Sequence, residues 1–215
     1  MARTTSPPRP TTVLLVRHGT TATTGTILPG RAKGLHLADS GTAQAERAAA
    51  RIAELKRVDA VYCSPLERAR ETAAPIGKVL GMRPKVTRGL TECDFGGWTG
   101  VELKRLMKRP EWQTVQSAPS TFRFPGGESF AEMQLRIVTT LDGLRTQHPG
   151  GTIVCVSHAD PIKAAVAHAV GTHLDLFQRI VISTCSISVM SWTARGPVVL
   201  AVNSTGESLR ELAPS

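Results

Sequence analysis

"VLLVRHGTT", residues 13–21, is the stretch on which the fold turns. Val13 to Val16 form a short aliphatic run of the kind that fills a strand buried on both faces. A strand that only fills a core has no use for a guanidinium and an imidazole at its exit. Yet Arg17 and His18 stand there, followed at once by Gly19. The same ending recurs downstream: "TIVCVSH", from Thr152, is a second aliphatic strand finishing on a histidine, His158.

Between and after these runs, helical and strand patterns alternate. A helix is expected from about Ser40 to Val58, and "VDAVYCS" reads as a strand. "SPLERARETA" carries helix start signals: Ser64 as cap, Pro65 at the first helical position and Glu67 three residues after the cap. Pro75 should kink or end that helix. "PKVTRGL" is a third strand candidate, "GVELKRLMKR" a short helix, and "PGGESFAEMQLRIVTTLDGLRTQ" a long helix after a glycine turn. "DPIKAAVAHAVG" is a further helix, and "SISVMSW" and "VVLAVN" are two more strands. Such alternation predicts an α/β fold, a mostly parallel sheet with helices on both faces. One domain is expected over residues 12–215, after a polar, proline-rich, disordered leader at 1–11.

In open α/β sheets ligands bind at the carboxyl ends of the strands. His18 and His158 can therefore face one pocket, joined by Arg17 and by Arg68 in the first turn of the helix after "VYCSP". That helix's N-terminus adds free backbone N–H groups that attract anions. Two guanidiniums can grip one phosphoryl group from two sides. Gly19 lets phosphate approach the backbone, and a neutral imidazole can attack phosphorus in line. Glu92, in the Gly-rich loop "LTECDFGGWTG", is the candidate proton donor, because nearby phosphate favours its acid form. Asp94 is the weaker candidate. His36, His148, His168 and His173 lack such company and read as surface or loop residues, while Phe95 and Trp98 read as core.

The net charge of +9 is spread along the chain without a dense basic run, which disfavours nucleic acid as partner. No apolar run reaches the roughly 18 residues of a membrane span, and nothing resembles a signal peptide, so a cytoplasmic protein is expected. Cys63, Cys93, Cys155 and Cys185 lack metal or redox spacing and read as buried thiols. A cysteine phosphatase signature would need five residues between Cys and Arg, and Cys63 to Arg68 has four. P-loop, dinucleotide and zinc motifs are absent from the sequence. A metal between His18 and His158 is disfavoured by the flanking arginines.

"LVRHG", "SPLERARETA", "LTECDFGGWTG", "FPGGES" and "VSHAD", in this order, resemble the histidine phosphatase superfamily, the phosphoglycerate mutase-like proteins. The run after His158 looks closest to actinobacterial members labelled phosphomutases or phosphatases. The resemblance implies a three-layer α/β/α sandwich and a mechanism that needs no metal or cofactor. It makes His18 the nucleophile, Arg17 and Arg68 phosphate ligands, His158 the second histidine of the pocket and Glu92 the proton donor. Gly30-Arg31 resembles a family element that contacts substrate. Where many members carry an asparagine about six residues after the nucleophile, this chain has "TTATTG", so Thr23 or Thr24 would have to substitute. The chain lacks the longer pocket-covering insertions of the mutases, which shifts weight toward hydrolysis. The expectation is a phosphomonoester phosphatase acting on a small phosphorylated metabolite. The alternatives are a phosphoglycerate-type phosphomutase and a non-catalytic binder of phosphorylated ligands. A homodimer is expected from family habit.

Overall fold

The structure, a computed structural model, describes residues 9–206 and Leu209. The run that opened the reading is strand β1, Thr11–Arg17, in which Val13 to Val16 are at most 2% exposed. Burying each such side chain is worth about 1.5–3 kcal/mol. Successive side chains point to opposite faces, so β1 feeds two cores. Val13 and Leu15 join one cluster, and Leu14 and Val16 join the other. Two cores on one sheet require helices on both sides.

The second cluster is closed by α1 (Asp39–Ala53) and α2 (Glu67–Leu80), through Ala49, Ile52, Ala73 and Ile76. On the opposite face, α5 (Phe130–Gln147) and α6 (Ala159–Ala169) contribute Met133, Ile137, Ile162 and Val166. Strands β2 (Ala60–Cys63), β3 (Lys85–Val86), β4 (Thr152–Ser157), β5 (Ile187–Thr193) and β6 (Gly196–Ser204) complete a sheet ordered β3-β2-β4-β1-β5-β6. The pairs β3-β2, β2-β4 and β4-β1 are parallel, while β1-β5 and β5-β6 are antiparallel. This is a three-layer α/β/α sandwich, as the alternation and the resemblance together predicted.

Register is what builds the site. Arg17 lies opposite Ser157 on the parallel neighbour, and Cys63 lies opposite Val156. The residues following each strand therefore emerge side by side at one sheet edge: His18 from β1, His158 from β4 and Ser64 from β2.

Several expectations need correction. The leader at 1–11 falls outside the described residues up to position 8, and Thr11 already belongs to β1. Pro75 does not end α2, which runs on to Leu80, because buried Thr72, Ala73, Ile76 and Gly77 hold the turns on either side of it. The missing proline N–H removes one helical hydrogen bond, which this packing outweighs. Ser64 does not cap the helix, since Leu66 is the N-cap residue and no side chain caps it. The strand candidate at 84–90 shrinks to Lys85–Val86 before a 3-10 turn. The expected short helix is α3, Leu103–Leu106, and a further helix, α4 (Pro110–Ser117), escaped the reading.

Candidate functional site

His18 is 5% exposed, and its ring is oriented by the chain that follows it. The contact of Nδ1 with the carbonyl oxygen of Gly19 is 2.7 Å. A carbonyl can only accept, so Nδ1 carries the proton and Nε2 keeps a lone pair. Arg68 donates to that Nε2 from Nε at 3.3 Å, and to the Gly30 carbonyl from Nη2 at 2.7 Å. Burial first, then the charges of Arg68 and Arg17, lower the His18 pKa to about 3. The ring is neutral across the physiological range, as a nucleophile must be.

His158 lies beside it, fully buried, with the two ring centroids 5.1 Å apart. Its Nε2 meets the Ser64 hydroxyl at 2.8 Å. That hydroxyl already accepts a long contact from the Leu66 N–H, and the acceptor available to its own hydrogen is the imidazole. Ser64 therefore donates to Nε2, and the proton of His158 sits on Nδ1. This nitrogen has no partner and lies 4.0 Å from a Glu92 carboxylate oxygen. Burial, with His18 and the arginines, holds the His158 pKa well below its usual value.

Among the described residues, three buried donors of this cluster are unmatched: Arg17 Nε, Arg68 Nη1 and His158 Nδ1. Arg17 is anchored through Nη1 to the Ile182 carbonyl at 2.7 Å, and Arg68 is completely buried. Leaving such groups unpaired costs roughly 1–3 kcal/mol each, more when charged. A tetrahedral anion among them would supply the missing acceptors. Glu92 completes the group. Its Oε1 accepts from the Cys93 N–H at 2.9 Å, and burial, reinforced by Asp160, raises its pKa to about 7 against the pull of Arg68, Cys93 and Arg17. Near neutrality it exists in both forms, as a group that must give and then take a proton requires.

The five residues put forward as the chemical core, Arg17, His18, Arg68, Glu92 and His158, thus share one site. The other candidates divide. The Gly19 N–H is engaged within the protein, donating to Thr72 Oγ1 at 3.0 Å. Glycine is required there by α1, since a Cβ would stand 2.6 Å from the Gly41 carbonyl oxygen. Thr24 lines the cavity in front of His18, with Oγ1 accepting from the Thr21 N–H at 2.9 Å; Thr23 is not among its lining residues. Arg31 turns away from the cavity, donating to the Glu92 carbonyl at 2.9 Å and pairing with Asp94 and Glu128. It holds the Glu92 loop instead of reaching outward. The N-terminus of α2 has an acidic side chain in its own first turn, Glu67. Among the described residues, no three His, Cys, Asp or Glu side chains are gathered so as to hold a metal ion.

Four contributors went unread. Ser64 sets the tautomer of His158. Glu128 binds Arg136 through Nε at 2.8 Å and Nη2 at 2.9 Å and accepts the Asp94 N–H at 3.1 Å, so the acid loop is clamped to α5. Arg136 also donates to the Gly89 and Thr91 carbonyls at 2.9 and 2.8 Å. Asp160, in the first turn of α6, faces the cavity. Of the four, Arg136 alone stands outside the quoted segments: Ser64 opens "SPLERARETA", Glu128 lies in "FPGGES" and Asp160 ends "VSHAD".

Sequence comparison decides the family. The profile of the histidine phosphatase superfamily (branch 1) matches residues 13–205. The chain belongs to the histidine phosphatase superfamily. The bifunctional protein Rv2228c of Mycobacterium tuberculosis is 31% identical over 199 residues, 92% of this chain and 55% of that protein. The chain thus spans about half the length of this relative. Phosphoserine phosphatase 1 of Hydrogenobacter thermophilus is 30% identical over 181 residues, 82% of this chain and 85% of that one. The solved structure of a phosphoserine phosphatase from Entamoeba histolytica, in complex with phosphoserine, superposes with a TM-score of 0.82 at 27% identity, covering 91% of this chain and 98% of that one. Ser64→Ala is expected to lower kcat roughly ten- to a hundredfold, the scale on which losing an orienting partner is felt. Wild-type turnover in that variant, measured by phosphate release, would remove Ser64 from the site.

Proposed function

We propose that this protein is a phosphomonoesterase that passes the phosphoryl group of a small phosphorylated metabolite through His18. The observation that carries the reading is the Nε2 lone pair of His18, fixed by the Nδ1 contact with Gly19 and surrounded by unmatched donors of Arg17, Arg68 and His158. In the first step Nε2 attacks phosphorus and the P–O ester bond breaks. Arg17, Arg68 and His158 hold the equatorial oxygens. The Glu92 carboxylic acid gives its proton to the departing alkoxide, which leaves as the alcohol. For this step the Arg68 Nε–H must turn from the imidazole to a phosphate oxygen. In the second step the Glu92 carboxylate takes a proton from water as its oxygen attacks phosphorus. The P–N bond breaks, and inorganic phosphate leaves.

The names of the relatives support hydrolysis, two of those above being phosphoserine phosphatases. Four buried cysteines, free of disulfides, support a reducing, cytoplasmic setting. Among the described residues no helix is long and apolar enough to cross a membrane. A homodimer remains part of the proposal by family habit. A screen of phosphate esters tests the reading. Stoichiometric release of inorganic phosphate is expected. Exchange of label between two phosphate positions without net release would make the protein a mutase, and tight phosphate binding without turnover would make it a binding module.

A further inference from the structure

The cavity in front of His18 has a volume of about 380 Å³. Pockets of roughly 300–1,000 Å³ hold whole drug-sized ligands, so a phosphoryl group alone occupies a minor part of this one. The space beyond belongs to the alcohol half of the ester. Its walls are mostly apolar: Leu28, Leu103, Trp112, Val115, Ile180 and Val181. Trp112 is steadied by stacking on buried Trp98, ring centroids 6.3 Å apart at 23°.

Among the described residues lining this cavity, four bear side chains that carry charge: Arg17, Glu92, Asp160 and Lys163. The first two serve the phosphoryl group. The other two answer each other, Lys163 Nζ standing 3.5 Å from Asp160 Oδ1, with both side chains under one-fifth exposed. Nζ also donates to Gln178 Oε1 at 3.0 Å. An ammonium has three N–H groups, so one remains to offer a substrate oxygen. Beyond the phosphoryl subsite the charges therefore cancel. A second anionic group on the substrate would lose its hydration there and meet no net positive charge in return.

We infer that the alcohol half of the substrate is uncharged and apolar, about the size of a ring, and presents at most a neutral oxygen to Lys163. It is not a short carboxylated skeleton such as that of phosphoserine or 3-phosphoglycerate. This deepens the phosphomonoesterase reading and rests on it.

The test uses primary alkyl esters, whose leaving groups are of similar kind: 3-phenylpropyl phosphate, its para-carboxylated analogue, phosphoserine and 3-phosphoglycerate. For the full chain, kcat/KM for 3-phenylpropyl phosphate is expected to exceed that for phosphoserine by roughly ten- to a hundredfold, the scale of burying one ring. The para-carboxylate should be poorer than its uncharged parent. Asp160→Asn unmasks the charge of Lys163, so the ratio of kcat/KM for the carboxylated ester to that of its parent should rise about tenfold. Trp112→Ala should lower the preference for 3-phenylpropyl phosphate over phosphoserine. Phosphoserine or 3-phosphoglycerate emerging as the best ester would overturn the inference, as would a ratio unmoved by Asp160→Asn. Failure to release phosphate from every ester, p-nitrophenyl phosphate included, would overturn the phosphatase reading and this inference with it.

Discussion

His18→Ala is expected to leave a folded protein that still collects phosphate and turns over no ester, with kcat lower by on the order of 10⁴–10⁶, the scale of removing a nucleophile. The physical ground is the division of labour in the site. In the proposed mechanism the anion is gripped by Arg17, Arg68 and His158, whose unmatched donors survive the substitution. Arg68 even gains a free N–H, because its Nε now donates to His18 Nε2. Phosphate titrated calorimetrically into the variant should bind as tightly as to the native protein, or more tightly. A variant that kept its turnover would remove His18 from the chemistry. One that lost phosphate binding with the fold intact would mean that His18 binds the anion and does not attack it.

Glu92→Gln separates proton donation from phosphoryl transfer. The amide keeps the shape, and its oxygen can still accept from the Cys93 N–H. For alkyl esters the loss in kcat/KM should be about 10²–10⁴-fold, the usual weight of general acid catalysis. For p-nitrophenyl phosphate, whose leaving group departs without a proton, it should be under about tenfold. The pH profile carries the sign. Glu92 titrates at about 7, so its acid form is present below that value and lost above it. Alkyl-ester kcat/KM should therefore fall tenfold per unit above pH 7. His18, with its pKa at about 3, adds no acid limb in the neutral range. The high-pH limb should vanish in Glu92→Gln. Equal losses for both classes of ester, or a limb that persists, would point to another donor.

How much of this could be read in advance depended on how local each signal was. Val13–Val16 and Ile153–Val156 are contiguous apolar runs, and a polar exit from such a run is visible without any structure. His18 and His158 were legible for that reason. Their adjacency then followed from parallel register, with Arg17 opposite Ser157. Ser64 was misassigned because its partner, His158, lies 94 residues away, while a plausible local role as helix cap stood beside it. The partners of Arg31 were out of view for the same reason: Glu92, Asp94 and Glu128 come from two distant loops. For Gly19 the local signal is clearance for phosphate; the packing against Gly41, in the first turn of a helix twenty residues on, is a second demand that only the fold shows. Helix α4 is short and mostly exposed, with Val115 as its buried residue, so it has no apolar stripe to betray it. Pro110 at its start was the signal available.

The central claim is that the phosphoryl group rests for a time on the Nε2 atom of His18. Rapid denaturation of the enzyme during turnover of a labelled ester, followed by mass-spectrometric mapping, tests it directly. The account predicts an acid-labile, alkali-stable adduct on His18, present in Glu92→Gln and missing from His18→Ala. A phosphoryl group mapped to any other residue, or turnover at full rate with no adduct at any quench time, would contradict it.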